Sequence, residues 1–114
     1  GWEVDFFMTC FYFLTRQIVR KDEVIPTLDF GLPFCKGDPE AMTRVVREVK
    51  KPCLGFKILG SGRRCSSQEN VRAAFRFAFE NIKPGDVVNV GMHRGDKDGM
   101  VEENVGIVRS ILGR

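Results

Sequence analysis

The sequence is poor in groups that advertise chemistry. It has one histidine, one tryptophan and one tyrosine in 114 residues. With no second histidine and no clear nucleophile, His93 is a thin basis for acid–base catalysis. Ten phenylalanines make up most of the aromatic set. Phe carries no polar handle, so these rings belong to a core rather than to a base-stacking platform. Charge of one sign is also scarce. The net charge is +3, and the arginines and lysines are interleaved with acids, so no dense basic stripe exists and no nucleic-acid partner is expected. The four cysteines show no C-x-x-C or other metal spacing, which predicts neither a metal site nor a disulfide scaffold. Cys10 and Cys53 lie within apolar runs and read as small hydrophobes. This usage points to a reducing, cytoplasmic compartment. The apolar N-terminal stretch is interrupted by Glu3 and Asp5, is too short to span a bilayer and has no basic flank, so neither a membrane segment nor a signal peptide is expected.

The chain does contain alternating strand and helix signals, and they predict a single α/β domain over residues 1–114. Residues 4–12 are apolar almost throughout and read as a strand covered on both faces, with a buried helix as the alternative that the Phe, Tyr and Thr content disfavours. Residues 16–37 carry Pro26, Gly31, Pro33 and Gly37 and read as a long loop. A short helical turn is expected near residues 15–22, and the stretch is either a functional or mobile loop or an extended crossover that packs Ile25, Leu28, Phe30, Leu32 and Phe34 on the surface of the core. Asp38 as N-cap with Pro39 behind it opens a helix, and Met42, Val45, Val46 and Val49 form its apolar stripe. Residues 53–59 read as a central buried strand. Ser66 and Glu69 fit a capping box for a helix whose stripe is Val71, Ala74, Phe75, Ala78, Phe79 and Ile82. Residues 83–86 form a turn and 87–92 a third strand. A last helix runs over 99–112, with Asp98 as N-cap and Val101, Val105, Val108 and Leu112 as its stripe. A helix between each pair of strands makes the sheet parallel with right-handed crossovers.

Three parallel strands leave two open edges and need cover on both faces. The chain is therefore expected to self-associate, with a dimer favoured. A (β/α)8 barrel takes about 250 residues, and these units would supply its last three. The runs KKPCLGFKILGSGR, AAFRFAFENI, DVVNVGM and MVEENVGIV, with DFFMTCFY before them, resemble the C-terminal portion of an uncharacterised bacterial TIM-barrel family related to the aldo-keto reductases. The resemblance implies a Gly-rich turn after the final strand and a VEEN segment beside a cofactor phosphate, matched by Gly91, Met92, His93 and Arg94 and by Val101, Glu102, Glu103 and Asn104. It implies NADP only for a complete barrel. The catalytic Asp, Tyr, Lys and His of that group lie on an N-terminal half with no counterpart here, so no catalytic residue carries over.

The residues themselves offer four candidates. Strand alternation puts Gly55, Lys57 and Leu59 on one face, so in a barrel Lys57 would point inward near the C-terminal rim. It then pairs with a carboxylate such as Asp5, contacts a substrate or phosphate, or acts as a Schiff-base nucleophile. Gly60, Ser61, Gly62 and Arg63, with Arg64 behind, precede a helix N-terminus and suit either an anion or a plain βα turn. Gly91, His93 and Arg94 form the equivalent rim after the last strand, where N–H groups near Gly99 are also available and Asp96 and Asp98 oppose an anion. Asn89 is expected to be buried and to pair with Lys57. Three functions remain open: a barrel-like fragment that binds phosphate or another small anion without independent catalysis, the C-terminal part of an aldo-keto-type oxidoreductase, and a Schiff-base lyase using Lys57. A fourth reading is a self-associating fold without a selected function.

Overall fold

A computed structural model describes residues 3–17, 19–26, 33–93, 95 and 98–114. It is mixed α/β. Strand β1 (Phe7–Cys10) is followed by a 3-10 turn (Lys21–Glu23), helix α1 (Asp38–Glu48), strand β2 (Cys53–Phe56), helix α2 (Gln68–Glu80), strand β3 (Val87–Val88) and helix α3 (Met100–Leu112). The three strands are parallel and lie in the order β1-β2-β3. The register sets Phe7 beside Cys53 and Cys10 beside Phe56, then Leu54 beside Val87 and Gly55 beside Val88. Each strand is shorter than its apolar run. The first loses residues 4–6 and 11–12, the second ends at Phe56 and the third at Val88, although the Asn89 amide still donates to the Gly55 carbonyl at 2.8 Å.

The register divides the sheet into two unlike faces. Thr9, Gly55 and Val88 share one row and meet the core, where Thr9 and Gly55 are buried and Val88 packs on the main cluster. Met8, Leu54 and Val87 share the other row, with Met8 at 62% and Val87 at 52% exposure. Phe6 and Phe7, at the start of β1, are exposed as well. On the core side Phe11, Phe75 and Ala78 are closed off from solvent, joined by Tyr12, Ile58, Leu59 and Val71. Gly55 is what lets Phe11 lie against the sheet: a Cβ there would come 2.8 Å from the Phe11 ring.

The helices start one residue away from their expected caps. In α1 Gly37 takes the cap position. Asp38 is drawn off to the chain leaving β1, where it accepts from the Phe13 amide at 3.1 Å and pairs with Arg16. In α2 the cap is Ser67, whose Oγ accepts from the Asn70 amide at 3.1 Å, while Ser66 accepts from the Asn70 side chain. In α3 it is Gly99 in left-handed backbone (φ 73), and Asp98 does not cap. The α2 stripe is as expected, with Val71, Phe75 and Ala78 buried. The α1 stripe turns slightly, burying Thr43 and Val46 and leaving Val45 exposed. The α3 stripe differs most. Asn104, Ile107, Val108 and Ile111 face inward, and Val101, Val105 and Leu112 are exposed. Two apolar lines share Val108, and α3 packs on α2 through the line that carries both isoleucines.

The long loop doubles back on itself. Val24 bridges Cys35 in antiparallel fashion, the Ile25 amide donates to the Phe34 carbonyl at 2.8 Å, and Ile25 and Phe34 enter the core. Leu28, Phe30 and Leu32 lie outside the described residues. The helical turn falls at Lys21–Glu23.

A polar clamp fixes the N-terminal ends of β2 and β3. Asp86 Oδ1 accepts from the Cys53 amide and from Lys83 Nζ, both at 2.8 Å, and Oδ2 accepts from the Lys83 amide at 2.9 Å. Lys83 Nζ also donates to the Val46 carbonyl at 3.0 Å. The Asp86 side chain is fully buried. One carboxylate thus ties the α2–β3 turn to the start of β2, and its lysine reaches the end of α1.

All four cysteines are free thiols. Among the described residues no helix is long and apolar enough to cross a membrane.

Candidate functional site

At the opposite end of the sheet the chain leaves β2 abruptly. Lys57 adopts left-handed backbone (φ 62), and Ser61 does so again four residues later (φ 51). Between them Ile58 and Leu59 turn into the core, both buried. Two successive buried side chains do not fit a strand with one core face, so the break at Lys57 is what carries the apolar run inward. The turn is tied by the Gly60 amide to the Lys57 carbonyl (2.8 Å), the Arg64 amide to the Leu59 carbonyl (3.0 Å) and the Cys65 amide to the Gly62 carbonyl (3.0 Å). Gly60 (φ 61) is buried against the Tyr12 hydroxyl, where both its backbone angle and the close approach suit glycine.

The break overturns the expected setting of Lys57. It is not inside the strand and does not alternate with Gly55 and Leu59. It is exposed at the C-terminal end of β2, and its Nζ donates to Ser61 Oγ at 2.9 Å. Asn89 is exposed rather than buried. Left-handed backbone costs a non-glycine residue about 1 kcal/mol or more, and here two such residues are joined by their side chains.

These residues line a cleft of about 740 Å³ between the β2–α2 turn and the segment from β3 to α3. Lys57, Ser61, Gly62, Gly91 and His93 all contribute to it, as does Asn89. Gly60 and Arg63 do not. The Arg63 guanidinium stacks on the Phe34 ring, 3.9 Å from its centroid, and donates to the Gly60 carbonyl at 3.3 Å. Arg64 Nε donates to the Tyr12 hydroxyl at 3.3 Å. Both arginines of the glycine turn are therefore engaged with core aromatics. Arg94 and Asp96 lie outside the described residues. The His93 ring packs over Gly95, where a Cβ would come 2.8 Å from Cε1.

Reasoning from the sequence passed over several cleft residues. Cys65 and Gln68 enter because the turn after Lys57 swings the start of α2 over the strand ends. Val71, Val90 and Met100 supply apolar wall, together with Met92, which the resemblance had singled out. Glu103 and Asn104 reach it from α3, within the VEEN run that the resemblance had singled out. Asn104 is buried and donates its amide to Met92 Sδ at 3.0 Å, fixing the thioether against the helix. A smaller hollow of about 360 Å³ shares Met92, His93 and Met100 but carries Asp98 and Glu102 at the first turn of α3. Those two carboxylates oppose an anion there, so the α3 N-terminus is electrostatically unlike the Lys57 wall. Among the described residues no cluster of three or more His, Cys, Asp or Glu side chains is arranged to hold a metal ion.

The cleft can offer an anion two kinds of donor. A lysine ammonium has three N–H bonds, one of them used on Ser61, and the Ser61 hydroxyl accepts that bond while keeping its own proton to donate. The first turn of α2 adds the positive end of a helix dipole beside Gln68, offset in part by Glu69 in the same turn. Cys65 is exposed, and the partial burial of its thiol pushes the pKa up. No family model, curated protein or solved structure matches the chain.

Proposed function

We propose that the chain binds a small anionic molecule in the cleft at the C-terminal ends of β2 and β3, with Lys57 and Ser61 as its anion contacts and without independent catalysis. One observation carries the reading: two left-handed residues joined by a 2.9 Å hydrogen bond on the wall of this cleft. Such conformations persist where surroundings enforce them, and they concentrate at ligand sites. Clefts outside the carboxyl ends of parallel strands are the usual ligand positions of α/β sheets. The test is an NMR titration of the labelled chain with inorganic phosphate and with acetate at constant ionic strength. The amides of residues 57–62 and 91–93 are expected to shift in the parent chain and to stay still in Lys57→Gln. Movement spread evenly over all lysines, with nothing selective at 57–62, overturns the reading.

A second reading concerns assembly. The row Met8, Leu54 and Val87 turns an apolar face away from the core, and the outer edge of β1 is unpaired among the described strands. Parallel sheets are covered on both faces. We infer that a second copy of the chain covers this face in a dimer. Strands in sequence order beside an uncovered apolar face are also how consecutive units of a (β/α)8 barrel are arranged, which supports the proposed barrel resemblance. Sedimentation equilibrium distinguishes a dimer from a monomer that persists as concentration rises.

A further inference from the structure

We propose that the cleft ligand is an organic monocarboxylate with an apolar body, rather than phosphate or a phosphorylated compound. This rests on the anion-binding reading and narrows it.

Three observations lead there. The first is size. A cleft of about 740 Å³ falls within the range of organic ligand sites, roughly 300–1,000 Å³, and an inorganic anion at Lys57 would leave most of it unfilled. The second is charge. Among the described residues lining the cleft, Lys57 is the one lysine or arginine. A phosphate dianion is usually met by several cations or by a bidentate arginine. The two arginines that follow the glycine turn are instead spent on Phe34 and Tyr12. One ammonium and one hydroxyl balance one negative charge and match the two oxygens of a carboxylate. The third is the rest of the wall. Val71, Val90, Met92 and Met100 present aliphatic and thioether surface. Met92, 38% exposed, is held in place by the buried Asn104 amide. An apolar wall fixed before the ligand arrives lowers the ordering cost of binding, and thioethers accept varied apolar shapes. The ligand is therefore amphiphilic, with its carboxylate on Lys57 and Ser61 and its body along Met92 and Met100.

The experiment is a set of parallel NMR titrations of the full chain with sodium 4-phenylbutyrate, 4-phenylbutanol, acetate and inorganic phosphate. Phenylbutyrate is expected to bind at least tenfold more tightly than acetate or phosphate, since only it buries apolar surface. It should move both the 57–62 amides and the Met92 and Met100 methyl groups. Phenylbutanol should bind about tenfold more weakly than phenylbutyrate, and Lys57→Gln should weaken phenylbutyrate far more than phenylbutanol, closing most of that difference. If phosphate or acetate binds at Lys57 as tightly as phenylbutyrate, the monocarboxylate proposal falls and the anion site stands. If phenylbutanol matches phenylbutyrate in the parent chain, the carboxylate contact is wrong. Shifts confined to Phe6, Phe7 and Met8 overturn the proposal, and silence from all four compounds removes the anion site with it. A heteronuclear spectrum of Lys57→Gln that overlays on the parent outside the cleft establishes that the variant is folded.

Discussion

Lys57 and Ser61 hold each other in place: the ammonium donates to the hydroxyl at 2.9 Å, and each residue sits in left-handed backbone, at φ 62 and φ 51. The pair ends β2, carries Ile58 and Leu59 into the core and forms one wall of the cleft.

Strain stored at a binding wall predicts a trade between stability and binding. Replacing Ser61 by glycine removes the steric cost of the left-handed conformation, partly offset by the greater freedom of glycine in the unfolded chain. Ser61→Gly is expected to raise stability by about 0.5–1 kcal/mol in urea denaturation and to weaken anion binding. Lower stability together with unchanged binding would contradict the role given to this pair.

The contact between Gly55 and Phe11 predicts the opposite sign. A methyl group at residue 55 meets the Phe11 ring at 2.8 Å, and that ring is 1% exposed and enclosed by the core. Gly55→Ala should cost about 1–3 kcal/mol through overpacking. Adding Phe11→Leu should recover part of that loss, and the non-additivity of the double-mutant cycle measures the contact.

The clamp at the other end of the sheet predicts a pH dependence. Burial works to raise the Asp86 pKa, but the Lys83 ammonium and the amides of Lys83 and Cys53 outweigh it and hold the carboxyl below its ordinary 3.8. For Lys83, burial works downward, and the bond and charge of Asp86, then Cys53, outweigh it and hold the ammonium above its ordinary 10.5. A pKa lowered by folding gives stability that is complete above the unfolded value and drains away as pH falls through the folded one. A raised pKa gives stability that is complete below the unfolded value and is lost as pH rises through the folded one. Stability should therefore fall below about pH 4 and again above about pH 10.5. Asp86→Asn should cost about 1.5–3 kcal/mol at neutral pH, the scale of hydrogen bonds to a charged group, and should flatten the acid limb. Urea titrations of parent and variant across that range check both statements.

The exposed sheet face predicts the effect of added charge. Met8→Lys and Val87→Lys place ammonium groups on the row that a second copy is inferred to cover. Both side chains are more than half exposed, so the variants should still fold, sediment as monomers and unfold at a lower midpoint than the parent, because the stabilisation by association is lost. A parent chain that is already monomeric at high concentration removes the inferred dimer.

Much of the architecture can be read from residue patterns. Pro39 opens α1 within a residue of the expected start, the Val71, Phe75 and Ala78 spacing identifies the buried side of α2, and alternating strand and helix signals lead to parallel strands. What stays hidden has a common physical cause: apolar runs report burial, not conformation. Residues 53–59 are apolar because Ile58 and Leu59 are buried, yet they are buried by a turn after Lys57 rather than by a longer strand. In α3 two overlapping apolar lines pass through Val108, and only packing on α2 selects the one with Ile107 and Ile111. The cleft was legible in Lys57, Ser61, Gly62, Gly91 and His93. Arg63 was not, because a guanidinium that binds an anion and one that stacks on Phe34 are the same residue in sequence.

The most direct measurement follows the side-chain ammonium resonance of Lys57 in isotope-labelled protein, titrated with acetate at constant ionic strength. A saturable shift of that resonance, absent from the other lysines and accompanied by a change at Ser61, is the result predicted. A Lys57 resonance that moves no more than those of Lys36 or Lys50 contradicts the anion site.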